Sequence, residues 1–221
     1  MLGGATLWAL ACVGCADLGE VPVTPDAPMD PGDPPETPVI AEIVPFRTVA
    51  GDTVHISGET FGDTPGVVEF LSPESAVLAI GMNVSWSEDE IVVLVPAGAH
   101  ASGLIAVRVG EAASDPLAFE RAPRVISYQN DLLPLFQTYF CDSCHGGSGN
   151  LYVVPHALLM RGDSDHGPVV IPRRSAESHF RDRLLATTKF LRMPEGGAPS
   201  YLSDEEVLLI SDWIDQGARD N

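Results

Sequence analysis

The sequence predicts two modules in series, an all-β sandwich followed by a small all-α domain, and three observations carry that reading. Between Pro38 and about Ala122, short runs rich in β-branched residues alternate with Gly, Pro and Asp turns. After Pro123 the two-residue alternation stops and apolar residues recur at helical spacings. The length of 221 residues allows two small domains, each able to bury a modest core.

Ahead of both modules lie two segments that build no core. Met1 to Gly14 carries no charged side chain, is too short to span a bilayer and ends beside Cys15, which is followed by polar sequence. That pattern reads as an export signal. It resembles a bacterial lipoprotein signal, which implies that Cys15 is the acylated residue and that residues 1–15 hold the signal peptide and lipid anchor. Cys12, after Ala9-Leu10-Ala11, is a competing anchor, and an ordinary cleaved secretion signal is the other alternative. Residues 16–37 hold six acidic residues, no basic ones and many prolines, the composition of an extended tether.

In residues 38–122 the expected strands are Ile40 to Val44, Thr53 to Ser57, Val67 to Phe70, Val84 to Trp86, Ile91 to Val95, Leu104 to Val109 and Leu117 to Phe119. Strands at this spacing point to a sandwich. Three stretches sharpen the reading: Ile43-Val44-Pro45, the run Gly51 to Gly62 containing Gly58 and Phe61, and Trp86 to Pro96. On these the segment resembles the IPT/TIG family, which implies an immunoglobulin-like all-β sandwich. Gly58 and Gly62 are expected to bracket a tight approach that places Phe61 in the core, and Pro96 to stop a strand. His55 reads as a packing or surface histidine, and Glu88-Asp89-Glu90 as a solvated turn rather than a calcium loop.

In residues 123–221 a first helix is expected through Leu132, Leu133, Phe136, Tyr139 and Phe140, with Asn130 or Asp131 as N-cap and Pro134 in the tolerated first turn. A second runs from Ser203 to about Gln216. Ser203 and Glu206 form a capping box, Val207, Ile210, Trp213 and Ile214 make the apolar stripe, and Gly217 closes the helix.

The chemistry lies between these helices, at Cys141-Asp142-Ser143-Cys144-His145. Two cysteines three apart on a helical turn can present both thiols to the vinyl groups of one haem, with the adjacent histidine reaching the iron. A zinc site would need further ligands, and only the isolated His156, His166 and His179 remain. A thioredoxin-like redox pair would need a βαβ context that the flanking sequence lacks. Past the expected lipid cysteine, an exported chain keeps these two thiols and follows them at once with a histidine.

From Val125 onward the sequence resembles the planctomycete-type class of small cytochrome c domains. The resemblance rests on Leu133-Pro134-Leu135-Phe136, Cys141 to Gly146, Val170-Ile171-Pro172 with Ser178, Arg192-Met193-Pro194, and Leu202 to Glu206 running into Trp213 to Ala218. It implies one covalent haem c on Cys141 and Cys144, with His145 as proximal ligand and Met193 as distal ligand. Met160, which follows Ala157-Leu158-Leu159 and looks like helix core, and the three histidines are the rival distal ligands. Trp213 and Phe136 are expected to pack around the porphyrin. Gly167-Pro168 and Pro172-Arg173-Arg174 depart from the family's pattern in that loop.

The net charge of −19, from 31 acidic and 12 basic residues, argues against a nucleic-acid partner. Residues 38–122 hold 3 basic against 12 acidic side chains. Within the second module, Arg173, Arg174, Arg181, Arg183, Lys189 and Arg192 precede Met193 and are read either as a basic face near the haem edge or as a solvated face of mixed charge. Taken together, the expectation is an exported single-haem electron carrier, not an enzyme, held by its lipid at the bacterial cell envelope on the periplasmic or outer-membrane surface, with an unnamed redox partner. The alternative is a surface interaction module in which the β-domain recognises a partner and the haem domain is sensor or scaffold.

Overall fold

The computed structural model describes residues 37–147, 151–164, 167–187, 192–195 and 201–221. Cys15, Cys12, almost all of the tether, His166 and Lys189 lie outside the described residues.

The first part is a two-sheet sandwich. One sheet has the order β1-β3-β7-β6, from Val39–Val44, Thr53–Glu59, Glu90–Leu94 and Met82–Trp86. The other runs β2-β10-β8-β4-β5, from Arg47–Thr48, Leu117–Arg121, Ser102–Val109, Val67–Leu71 and Val77–Ile80, with β9 (Ala112–Ala113) paired to β8. Pairing is antiparallel except between β2 and β10. All seven expected strands are present, six of them extended by a residue or two and the Ile91–Val95 strand shifted to Glu90–Leu94, and β2, β5 and β9 are additional. Alternate residues face inward: Val54, Ile56, Ile91, Val93, Ile105 and Val107 are fully buried in one core with Phe61, Phe70 and Phe119.

The expectation around Phe61 holds in detail. A Cβ on Gly58 would stand 2.0 Å from the Val39 carbonyl oxygen and 2.5 Å from Phe61 Cζ, so only glycine fits. Thr60 and Gly62 adopt φ of 64° and 69°, turning the chain so that Phe61 enters the core while Trp86 Nε1 donates to the Gly62 carbonyl at 2.9 Å. His55 is exposed beside Glu90, its Nδ1 3.0 Å from Oε1, and Glu88 to Glu90 form an exposed turn.

A second, separate core follows, built by Ile126, Tyr128, Leu132, Phe136, Val153, Leu159, Trp213 and their neighbours. Its helices are short: α1 (Leu133–Thr138), α2 (Cys141–Cys144), α3 (His156–Leu159), α4 (His179–Leu185) and the longer α5 (Asp204–Asp215). A two-stranded hairpin, β11 (Asp163–Ser164) with β12 (Gly167–Pro168), lies between α3 and α4. The expected capping box of α5 is complete, and Gly217 closes it at φ 98°. The first helix differs at its start. A π-helical turn over Tyr128–Leu132 runs into α1, and the cap is Ser127, whose side chain accepts from the Asn130 N–H, instead of Asn130 or Asp131. Asp131 instead accepts from the Ser127 N–H and pairs with Arg124.

The two cores meet along a seam of ion pairs. Arg47 on β2 donates twice to Asp212 on α5, at 2.5 and 3.2 Å, and also to Glu120 at 2.7 Å. Arg219 reaches Asp52 at 2.6 Å, while Thr48 Oγ1 donates to the same carboxylate. From the loop before α4, Arg173 donates to the Thr53 carbonyl and Arg174 to Glu42 and Glu177. This corrects the reading of Arg173 and Arg174 as a free basic face: both are turned to the sandwich and spent on it. Arg181 is spent on Ser211. Behind the seam, buried Asp215 accepts from the Ser175 N–H and hydroxyl.

Candidate functional site

The Cys141–His145 turn is set by its entry. Phe140 sits in the left-handed region at φ 53°, costly for a bulky residue, and this break separates α1 from α2 and re-aims the chain. Cys141 and Cys144 then occupy the first and last positions of a single helical turn, and the His145 N–H closes it by donating to the Cys141 carbonyl at 2.9 Å. Both thiols are free, Cys141 half-buried and Cys144 exposed. Burial pushes the Cys141 thiol up to about 11, so it stays protonated at neutral pH.

The residues after the turn bind it to the core. The Val153 N–H donates to the His145 carbonyl at 3.2 Å and the Gly147 N–H to the Leu151 carbonyl at 3.1 Å, while Tyr128 Oη donates to the Val153 carbonyl at 2.7 Å. Gly147 has φ 120°, and a Cβ there would fall 2.7 Å from Tyr152 Oη. The turn is thereby fixed to buried Val153 and Tyr128, both 1% exposed.

Met193 is half-buried against the same core that Cys141 flanks, and its N–H donates to the Arg183 carbonyl of α4 at 2.8 Å. Met160 also borders this core. Of the rival histidines, His156 is committed elsewhere: Nε2 lies 2.7 Å from the Ala218 carbonyl, and the ring meets Tyr128 and Trp213 edge-to-face. His179 begins α4. Trp213 packs on Tyr128 with its Nε1 donating to the Arg219 carbonyl, and Phe136 packs between Tyr128 and Phe180.

Sequence reasoning passed over several exposed apolar side chains. Phe140, Tyr152, Val154, Leu185 and Tyr201 are exposed large hydrophobics of this body. Phe140 precedes Cys141, Tyr152 bridges to Gly146, Val154 follows the residue bonded to His145, Leu185 ends the helix that holds Met193, and the Tyr201 ring lies under Arg192 at 4.2 Å. The signal available was Phe140 itself, an aromatic directly before the first cysteine. Among the described residues, no three His, Cys, Asp or Glu side chains come together to hold a metal ion. A shallow cleft of about 280 Å³ lies elsewhere, on the seam, lined by Glu42, His55, Glu90, Arg173 and Arg174 among others.

Comparisons with known proteins fall on the sandwich. Cyclomaltodextrin glucanotransferase of Bacillus sp. (strain 1-1) is 40% identical over 60 residues, which cover 27% of this chain and 8% of that enzyme. This chain therefore corresponds to a small fraction of that relative. Among solved structures, gamma-CGTase from the alkalophilic Bacillus clarkii is 28% identical, with 38% of this chain and 12% of that one covered and a TM-score of 0.34. SGBP-B from a xyloglucan utilization locus in Bacteroides uniformis is 19% identical, covering 42% and 26% of the two chains at a TM-score of 0.29. Residues 38–120 match the IPT/TIG domain family, so this immunoglobulin-like sandwich is an IPT/TIG domain.

Proposed function

We propose that the chain is an exported, lipid-anchored mono-haem c-type cytochrome that transfers electrons in the bacterial cell envelope and is not itself an enzyme. The domain plan of this reading is a signal and Cys15 anchor, a tether, the IPT/TIG sandwich to residue 122 and a cytochrome c domain over 123–221. The observation that carries it is the turn holding two free thiols with His145 as its closing residue.

The donor set fits haem c. Cys141 and Cys144 would hold it through thioethers, with His145 and Met193 as axial ligands, and when bound it supplies a one-electron iron couple. The exposed Phe140, Tyr152 and Val154 support the same reading, because apolar side chains beside the turn call for an apolar cover. The chain's own part is to hold and orient. Phe140 aims the turn, Val153 and Tyr128 anchor it, and the hydrogen bond from Met193 to Arg183 fixes the distal loop. Were His145 and Met193 both to bind the iron, the site would be suited to electron transfer rather than to binding oxygen.

The test is the visible spectrum of protein matured with the cytochrome c apparatus. Met193→Ala abolishes the methionine-to-iron charge-transfer band while leaving the haem attached; a band that survives the substitution contradicts Met193 as distal ligand.

A second reading has an observation of its own. The family match covers the sandwich and none of Cys141, Cys144, His145 or Met193, which favours a surface interaction module over electron transfer. In that reading the sandwich recognises a partner and the C-terminal body is a sensor or scaffold. Potentiometry separates the two: reversible one-electron cycling with fast exchange supports the carrier, and partner binding indifferent to redox state supports the module.

A further inference from the structure

β5 and β6 form one extended run that crosses from one sheet to the other at Gly81, and each is the terminal strand of its sheet. Its inward positions are filled. Ala79 packs on the core, a Cβ on Gly81 would meet Val93 Cγ2 at 2.3 Å, and Asn83 Nδ2 donates to the Gly66 carbonyl. Its outward positions, Leu78, Ile80, Met82 and Val84, are between 46 and 65% exposed. No charged residue interrupts Val77 to Trp86. Terminal strands in soluble proteins are ordinarily blunted by lysine, proline, inward charge or bulges; this run carries no lysine, proline or charge, and its register shifts fall at Leu78 and Val84, which leaves Ala79 to Asn83 regular between them.

Charge decides the occupant. The run is framed by Glu74 on one side and by Glu88, Asp89 and Glu90 on the other. The sandwich's three cations are already engaged: Arg108 with Glu69, Arg47 with Asp212 and Glu120, and Arg121 with the Ala99 carbonyl. A second copy paired antiparallel would set acidic ends against acidic ends, which costs affinity. We propose that the Val77–Val84 edge is a docking site for an extended, alternately apolar segment of another protein flanked by lysine or arginine. Side chains of period two match the stripe, the free ladder edge of β6 supplies backbone partners, and basic flanks meet the acidic frame. The proposal rests on the interaction-module reading and is independent of haem.

The probe is a fluorescent peptide of three Thr-Val repeats between pairs of lysines, titrated into the full-length protein at pH 8 with the visible spectrum recorded on the same sample. Saturable binding is expected. It should weaken roughly tenfold for each apolar contact removed in Ile80→Thr and Met82→Thr, severalfold between low and high salt, and strongly when glutamates replace the lysines. Both substitutions are at exposed positions, so unchanged thermal unfolding confirms that the fold is kept. No saturable binding, equal binding of the acidic peptide, or a concentration-dependent dimer abolished by Ile80→Thr would each overturn the proposal. Loss of haem colour with peptide binding retained counts against the cytochrome reading alone.

Discussion

The sandwich and the C-terminal body bury their cores by different means. In the sandwich, long antiparallel ladders present every second side chain to one closed core, so Val54, Ile56, Ile91, Val93, Ile105 and Val107 reach zero exposure from strands satisfied by one another. Among its described residues the C-terminal body has one α-helix of 12 residues; its other α-helices, of 4 to 7, are too short to hold alone. It draws on what lies around it, through the ion pairs that clamp α5 to β2. The contrast teaches that a module can own a core and still depend on its neighbours.

The largest effect expected from this contrast is on cooperativity. Replacing Cys141 and Cys144 by alanine should abolish the C-terminal unfolding transition seen by calorimetry while the sandwich keeps its own; a C-terminal transition retained in the variant would break the comparison. Next comes the seam. Asp212→Ala leaves the Arg47 guanidinium, 14% exposed, without its main partner and should cost about 3 kcal/mol by chemical denaturation. A loss under about 1 kcal/mol would mean that the C-terminal body stands without the clamp. Gly58→Ala forces a Cβ to within 2.0 Å of the Val39 carbonyl and should destabilise the sandwich by about 2 kcal/mol or more, leaving the C-terminal transition in place.

A smaller effect sharpens the same contrast through pH. Burial raises Asp215 from 3.8 to about 6, so the folded chain holds that proton more tightly than the unfolded chain does. The associated stability, about 3 kcal/mol, is fully present below the unfolded value of 3.8 and is lost as pH rises through about 6. Asp215→Asn should flatten that part of the stability profile, with the sandwich unaffected. Smallest is the cap. Ser203→Ala removes the oxygen that accepts from the Glu206 N–H and should cost about 1 kcal/mol.

The two regions also differ in how much could be read before the structure. Strand positions, the Gly58–Phe61 approach and the capping box of α5 were legible because each depends on residues near one another in the chain. β5 was missed because both of its faces read as apolar, without the alternation of a half-buried strand. The start of the first helix was misplaced because Ser127, and not Asn130 or Asp131, supplies the accepting side chain. The seam was invisible for a different reason. Arg47 and Asp212 lie 165 residues apart, and nothing local marks either as the other's partner. The same gap left Arg173 and Arg174 open between a basic face near the haem edge and a solvated face of mixed charge, whereas both bind the sandwich. At the candidate site, Cys141, Cys144 and His145 were legible because they lie together in one short motif, whereas the attachment of that turn to Val153 and Tyr128 depends on residues apart in the chain.

The most direct test of the account is whether colour stays with the polypeptide. The full chain, produced with the cytochrome c maturation apparatus, is extracted with acid acetone, and the residue is examined by absorbance and peptide mass mapping. The account predicts that haem absorbance remains with the protein and maps to the peptide containing Cys141 and Cys144. A colourless polypeptide carrying both cysteines unmodified would contradict it.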